Sequence, residues 1–514
     1  MSDTNDSTPA TPEDIAALTL QAEGLTALET GDNAHAAMLL TQAVALRPDD
    51  AGLRADLGMA LERQQDNDAA KAAYAMAVAL DPDNPIYRFN LGAACQRLGL
   101  GHEAAGHYVD ALEREPMLAE AYFNLATLFQ DAGHLDIAEQ HYRNALEARP
   151  TYVEAAANLG LVLRRLGRLG DALDYLRATA QAQPDLAQAH SNLGLVLNEA
   201  GQYQEALSAF DRLAALRPFE AASHVGRATA LRGLGHLPEA AASVQKALDR
   251  PEPPVSAELE AAQVAAALQA GGNGTAAQAL VAKWRAGAGT TPILTHTEAA
   301  LGLAPVPPRA DPAYLEQLHD AQATVLTEQA VAALVAPLTA PLAATLARHL
   351  GPAAGTLNVV EIDCGVGALA PLLKPYAATL VGVHPSTTAI QAAARGGQYD
   401  HLLHGDFTVA LERSADSANL VLSTDIANYV GDLAPLATVA AGALLPGGTL
   451  AIVVDAAEPW AAAVTLKENG RYLHRRDHVE NALRQAGLTV LEVVSLAPVA
   501  ADGPERLLAV ARKG

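Results

Sequence analysis

Residues Asn358 to Ala368 read NVVEIDCGVGA. Val359, Val360 and Ile362 flank one acid, Glu361, and the run then breaks into Gly365 and Gly367 ahead of a helical segment. An apolar, β-branched run of this length predicts a buried parallel strand, and the glycines predict the turn that carries it into a helix. At such a junction α/β folds bring backbone close to a nucleotide-like ligand, because a Cβ there would hold the ligand away. The same pattern also occurs in α/β folds without a ligand, so the rest of the chain has to decide.

At 514 residues the chain is too long for one core, and two or more domains are expected. Hydrophobic residues make up 50% and charged ones 18%, the balance of a globular protein. With 34 Lys+Arg against 58 Asp+Glu the net charge is −24, which argues against a phosphate-binding surface and hence against a nucleic-acid partner. The two cysteines, Cys95 and Cys364, make neither a disulfide framework nor a Cys-type zinc site. His401, His404 and His478 have no metal-ligand spacing with acids, so no metal is expected. The start, MSDTNDSTPATPED, is polar and acidic and does not read as a secretory signal. The longest uncharged stretch, Gln329 to Ala347, is Ala-rich, contains Pro337 and Pro341, and reads as helix within a soluble protein, not as a span. A cytoplasmic protein without a membrane partner is the expectation.

Pro48, Pro82, Pro116, Pro150, Pro184 and Pro218 lie 34 residues apart without a slip. Small residues recur in the same register (Gly58, Gly92, Ala126, Gly160, Gly194), as does a second column (Ala70, Ala104, Ala138, Ala172, Ala206). Four residues beyond that column stand Tyr74, Tyr108, Tyr142, Leu176 and Phe210. Small residues let two helices cross closely, a large ring fills the gap, and proline ends the second helix. Period and pattern together resemble the tetratricopeptide repeat (TPR) family. We read an α-solenoid of seven repeats over 13–286, with 251–285 as a degenerate eighth pair that caps the stack, and 1–12 as a disordered N-terminus.

One column carries a functional hint. The sixth residue of four successive repeats is Asn90, Asn124, Asn158 and Asn192. First helices line the concave face in TPR proteins, so the resemblance implies a ladder of amides along a groove, of the kind that holds an extended peptide by its backbone. An amide offers a donor and an acceptor together and suits a peptide unit. The column is equally what TPR consensus sequences carry, and both readings stand. A protein or extended peptide is therefore the expected partner, with self-association as another use of the repeats.

Residues 287–312 are Pro-rich and read as a linker of limited flexibility. From 313 to 514 a helical region precedes strands at 358–363, 379–383, 400–404, 418–423, 448–454, 488–494 and 506–512, with helices between them at 387–394, 433–443 and 476–486. Alternation of this kind predicts an α/β doubly wound, Rossmann-like sheet. The order VVEIDCGVG, LVGVHPS, YDHLLHGD, ANLVLSTDIANYVGDL, LLPGGTLAIVV is similar to class I S-adenosylmethionine (SAM) methyltransferases. The chain most resembles a bacterial methyltransferase family with TPR repeats ahead of the catalytic domain. That family has a late motif close to Gly470-Arg471-Tyr472-Leu473-His474.

The resemblance implies roles by position. Glu361 would hold the SAM amino group, and Gly365 and Gly367 would admit its methionine part. Asp406 with Phe407 would meet the adenine, and Asp425 would mark where the fourth strand opens onto the transferred methyl. Asp363 stands where the family has a glycine and is expected to crowd the methionine carboxylate. His384 replaces the acid that grips both ribose hydroxyls, and an imidazole makes only one such bond. Losing the bidentate contact should cost about 1.5–3 kcal/mol, so weak SAM binding is expected. His474 and Tyr472 are the expected groups for the acceptor, with Arg471 beside them; a lid role for the motif is the alternative. The leading function is a SAM-dependent methyltransferase whose TPR groove recruits a protein or peptide. The alternatives are a TPR adaptor with a degenerate, non-catalytic domain, and a small-molecule methyltransferase whose repeats serve assembly.

Overall fold

The computed structural model describes residues 11–325, 328–499 and 503–514. The disordered stretch expected at 1–12 lies almost wholly outside them. The chain divides into two compact units, one of residues 1–163 and 174–182, the other of 164–173 and 183–514.

The first unit is built of antiparallel helix pairs. They begin with Pro12–Glu29 and Asn33–Leu46 and run through Ala119–Asp131 and Leu135–Ala148. The small-residue column explains their spacing. A Cβ added at Gly58 would sit 2.7 Å from the Tyr74 ring, and one at Gly92 2.8 Å from the Tyr108 ring, distances no side chain tolerates. Tyr74, Tyr108 and Tyr142 are buried, and their hydroxyls reach Glu62 (3.1 Å), Gln96 (2.7 Å) and Gln130 (3.0 Å).

The second unit begins with repeat helices Ala187–Glu199 to Leu237–Leu248 and the eighth pair, Val255–Ala270 and Gly274–Ala288. That eighth pair does not cap a solvent-facing end. Trp284, Ile293, Leu294, Ala310, Tyr314, Val360, Ile362 and Val454 belong to one hydrophobic core, so the last repeats and the α/β sheet are packed together. The linker expectation is corrected accordingly. Pro292–Ala300 is a buried helix, Glu298 pairs with Arg285, and Arg309 forms a bridge to Val430. Prolines in this segment start helices and turns instead of spacing two domains apart.

The sheet contains β1 (Leu357–Glu361), β2 (Ala377–His384), β3 (His401–His404), β4 (Ala418–Ser423) and β5 (Leu444–Ala456) in parallel order 3-2-1-4-5. β9 (Arg506–Lys513) adds to β5 antiparallel, and β8 (Leu488–Leu496) to β9. A hairpin of β6 (Val464–Leu466) and β7 (Tyr472–His474) lies beside the end of β5. All seven expected strands form; the hairpin is additional. Alternation sets the two faces. Val360, Val421 and Ile452 face the core shared with the repeats, while Val359, Leu420, Leu422 and Val453 face Leu338, Leu342 and Leu346 of the Glu328–Leu350 helix. The Ala330–Leu350 portion is, by length and composition, apolar enough to cross a membrane; here its buried leucines cover the sheet.

Candidate active site

Order reverses between β1 and β4, and a crevice opens at their carboxyl ends, where ligands bind in open α/β sheets. The cavity there is about 610 Å³, within the range of small-molecule sites. Glu361, Asp363, Gly365, His384, Asp425 and Arg471 line it, so six of the predicted site residues converge from β1, β2, β4 and the hairpin.

The two glycines differ. Gly365 has φ +52°, and a Cβ there would project into open space, its nearest atom 4.0 Å away, so the cavity floor is bare backbone. Gly367 (φ +90°) does not line the cavity. A Cβ there would meet the Tyr399 ring at 3.3 Å and Ala393 at 3.5 Å, so it permits close packing and not ligand approach. Glu361 is buried and accepts a hydrogen bond from the Tyr399 hydroxyl at 2.7 Å. Burial pushes its carboxyl up to about 8; the Tyr399 bond opposes the rise, and nearby Asp363 adds to it.

Asp363 is not placed as expected. Its carboxylate accepts backbone N–H bonds from Thr424 (2.7 Å), Asp425 and Ile426 (2.8 Å), and the Thr424 and Ser423 hydroxyls lie at 3.4 Å. Burial raises this carboxyl, while the three successive N–H groups that converge on it pull the other way and favour its ionised, acceptor-only form. The side chain that was expected to crowd the methionine end instead fastens the turn after β4 to the end of β1.

His384 is buried, and its Nδ1 accepts the Ser386 N–H at 3.1 Å. Burial pushes its imidazole down to about 3, and neighbouring His319 lowers it further. The ring is therefore neutral with its proton on Nε2, a single donor. His319 comes from the Pro312–Val325 helix, part of the helical region expected from 313 onward. Its ring packs edge-on to His384 (5.0 Å) and Tyr429 (5.6 Å), its Nε2 lies 3.9 Å from Asp425 Oδ2, and its Nδ1 is buried with no partner among the described residues. The same helix is latched down by Asp320, which accepts from the Ser386 hydroxyl (2.5 Å) and the Thr388 N–H (3.1 Å). Asp425 keeps 44% of its side chain exposed and pairs with Arg471 Nη1 at 2.8 Å. Burial alone would raise its carboxyl, but Arg471 and His319 outweigh that and hold it well below the usual range. Arg471 also donates from Nε to Asp455 (2.7 Å) and lies over the Tyr429 ring (5.3 Å).

Asp406 and Phe407 lie apart from this cavity, on a second one of about 300 Å³ that shares Ile426 with it. Asp406 caps the Phe407–Arg413 helix through the Thr408 N–H (2.8 Å). Arg309 holds its other oxygen at 2.7 Å and rests over the Phe407 ring at 5.6 Å.

The expectation for Tyr472 and His474 is corrected. Tyr472 is fully buried, donates to the Pro307 carbonyl at 2.7 Å, and packs where a Cβ on Gly431 would meet it at 2.6 Å. His474 is also fully buried and stacked on His478 at 5.5 Å. Burial pushes it down to about 3. Neither residue lines the cavity; strand alternation in β7 turns both toward the core and leaves Arg471, at its edge, facing the ligand space. The asparagine column is partly committed as well. Asn124 donates to the Tyr108 hydroxyl (3.1 Å) and Asn158 to that of Tyr142 (3.2 Å), while Asn192 accepts from Gln188 (2.7 Å) and Asn90 is half-buried.

An open doubly wound sheet with an acid ending β1, a bare glycine turn and a cavity at the switch point defines an α/β domain with a candidate ligand site. The methyltransferase domain family matches residues 331–493, and the tetratricopeptide repeat family matches 22–85, 55–120, 123–187 and 171–221. The chain therefore carries tetratricopeptide repeats ahead of a methyltransferase domain. Among solved structures it is similar to MamA (23% identity over 33% of this chain and 93% of that one, TM-score 0.31). It is similar also to PilF of Pseudomonas aeruginosa (19%, 41% and 97%, TM-score 0.38). A third is YrrB, described as a TPR protein with an unusual peptide-binding site (21%, 36% and 95%, TM-score 0.32). No curated protein matches the chain.

Methyltransferase domains use SAM, and the residues present fit its methionine end. Gly365 leaves a cradle that a Cβ would fill, and the buried Glu361 carboxyl is the partner an ammonium needs. The nucleoside end fits less fully, with one imidazole donor at His384 and an Asp406 carboxylate already shared with Arg309.

Proposed function

We propose that the chain is a SAM-dependent methyltransferase whose repeats hold a protein or peptide partner while the α/β domain transfers the methyl. The observation that carries this reading is the convergence of Glu361, Gly365, His384 and Asp425 on one cavity at the switch point. Bound SAM would supply an electrophilic methyl on a sulfonium. Glu361 would meet the ligand's ammonium, Gly365 would let its carboxylate approach backbone, and His384 Nε2–H would donate to one ribose oxygen. His319 takes over the acid–base role first assigned to His474. Its Nε2 would take the proton that the acceptor gives up. Asp425, kept ionised by Arg471, stabilises the imidazolium that results.

A second reading is an adaptor with a degenerate cofactor site, favoured by Arg309 on Asp406 and by the single donor at His384. Calorimetry of the full chain with SAM and S-adenosylhomocysteine separates the two. Weak binding, tightened roughly one to two decades by His384→Asp, supports the enzyme. Absence of heat up to millimolar ligand, in wild type and variant alike, leaves the adaptor.

A further inference from the structure

The cavity that holds these polar groups has another side. The Glu328–Leu350 helix contributes Val331, Leu334, Val335 and Leu338 to its lining, and Val499 joins them from beyond β8. From Ala330 to Ala347 that helix carries no charged residue. Leu334 and Val499 line the cavity yet remain 45% and 46% exposed, so two large apolar side chains from separate elements stay wet. Apolar surface of this kind inside a concave site gains from being covered by a ligand. Glu361 and Gly365, assigned to the methionine end, lie at the end of β1 and in the turn after it and are not part of this wall.

Resting on the methyltransferase reading, we infer that the group entering the cavity as methyl acceptor has an apolar body with one protic head, a hydroxyl or an amine. The wall of Val331, Leu334, Val335 and Val499 covers the body. His319 Nε2 and Asp425 Oδ2, 3.9 Å apart, receive the head. A strongly polar or multiply charged acceptor would leave its own groups unpaired against the wall and lose affinity. The His319–Asp425 pair, with Arg471 and Asn428 beside it, offers the head group its polar partners.

The test is calorimetric titration of the full chain with 1-octanol and with octylamine, with and without S-adenosylhomocysteine. One saturable site for at least one of the two probes is expected, and which probe binds identifies the head. Leu334→Asp, at a half-exposed helix position where the fold tolerates charge, should weaken that probe about tenfold or more. Binding of S-adenosylhomocysteine should stay unchanged, since Leu334 is not among the residues assigned to the cofactor. No saturable probe binding, or equal affinity in Leu334→Asp, overturns the inference. Octanol or octylamine binding that Leu334→Asp abolishes, in a chain that binds no S-adenosylhomocysteine, would keep the apolar site and remove the methyltransferase reading instead. A parallel arm uses neutral phosphatidylcholine vesicles. If Leu334→Asp abolishes vesicle association while neither probe binds, the wall faces a bilayer and the inference is wrong.

Discussion

Replacing Asp363 by glycine, the residue the methyltransferase pattern carries there, tests what the carboxylate is for. If Asp363 crowded the methionine end, Asp363→Gly would tighten cofactor binding. The structure predicts the reverse. The substitution strips the acceptor from three converging backbone N–H groups, those of Thr424, Asp425 and Ile426, at a site only 8% exposed. Hydrogen bonds to a charged group contribute about 1.5–3 kcal/mol each. The three share one carboxylate and water can enter the space left, so they will not add fully; a total of about 3–6 kcal/mol is expected. That is a large part of the roughly 5–15 kcal/mol that holds a folded domain. The turn after β4 would loosen, and Asp425, which lines the cavity, would lose its position. Urea unfolding of the full chain suits the measurement, because both tryptophans, Trp284 and Trp460, lie in the second unit and Trp284 is fully buried. Asp363→Asn keeps one acceptor oxygen but turns an amide N–H2 toward backbone donors, and should lose somewhat less. An Asp363→Gly protein within about 1 kcal/mol of wild type that also bound S-adenosylhomocysteine more tightly would refute the anchoring role.

Glu361 makes a prediction about pH. Its folded carboxyl, raised to about 8, keeps a proton that the unfolded chain releases near the ordinary 4.5. Its contribution is therefore complete below about pH 4.5 and is lost as pH climbs toward 8, at about 1.4 kcal/mol per unit. Glu361→Gln should remove that segment of slope and leave the variant the more stable at pH 8; identical pH profiles of urea unfolding would contradict this. In the repeats, Asn124→Ala and Asn158→Ala each remove a hydrogen bond to a tyrosine hydroxyl and should cost about 0.5–1.5 kcal/mol of stability as well as any partner affinity. Tyr108→Phe with Tyr142→Phe frees the amides without deleting them. If that pair binds a partner as wild type does while the double asparagine variant does not, the amides read the partner directly; equal loss in both would make them structural.

Much of the fold was legible because its signals are local. A 34-residue period, a small residue wherever two helices touch and a ring to fill the space beside it specify helix pairs without reference to the rest of the chain. The sheet was legible for a similar reason: apolar runs of strand length alternate with helical patterns, and a glycine turn follows the first acid. The end of β1 could therefore be assigned, and Glu361 and Gly365 do face the cavity. What escaped is where a side chain goes once it leaves its element. β6 and β7 have three residues each, too short for a periodic signal, so Tyr472 and His474 read as chemistry when strand alternation buries them. Arg309, His319 and Asp320 sit in segments that read as linker and generic helix, and find Asp406, Asp425 and Ser386 at separations of 97, 106 and 66 residues. Asp363 shows the same limit at one position. Its identity disclosed an acceptor of hydrogen bonds, but only the packing of β4 against β1 determined that three backbone N–H groups, and not a ligand, would supply the donors.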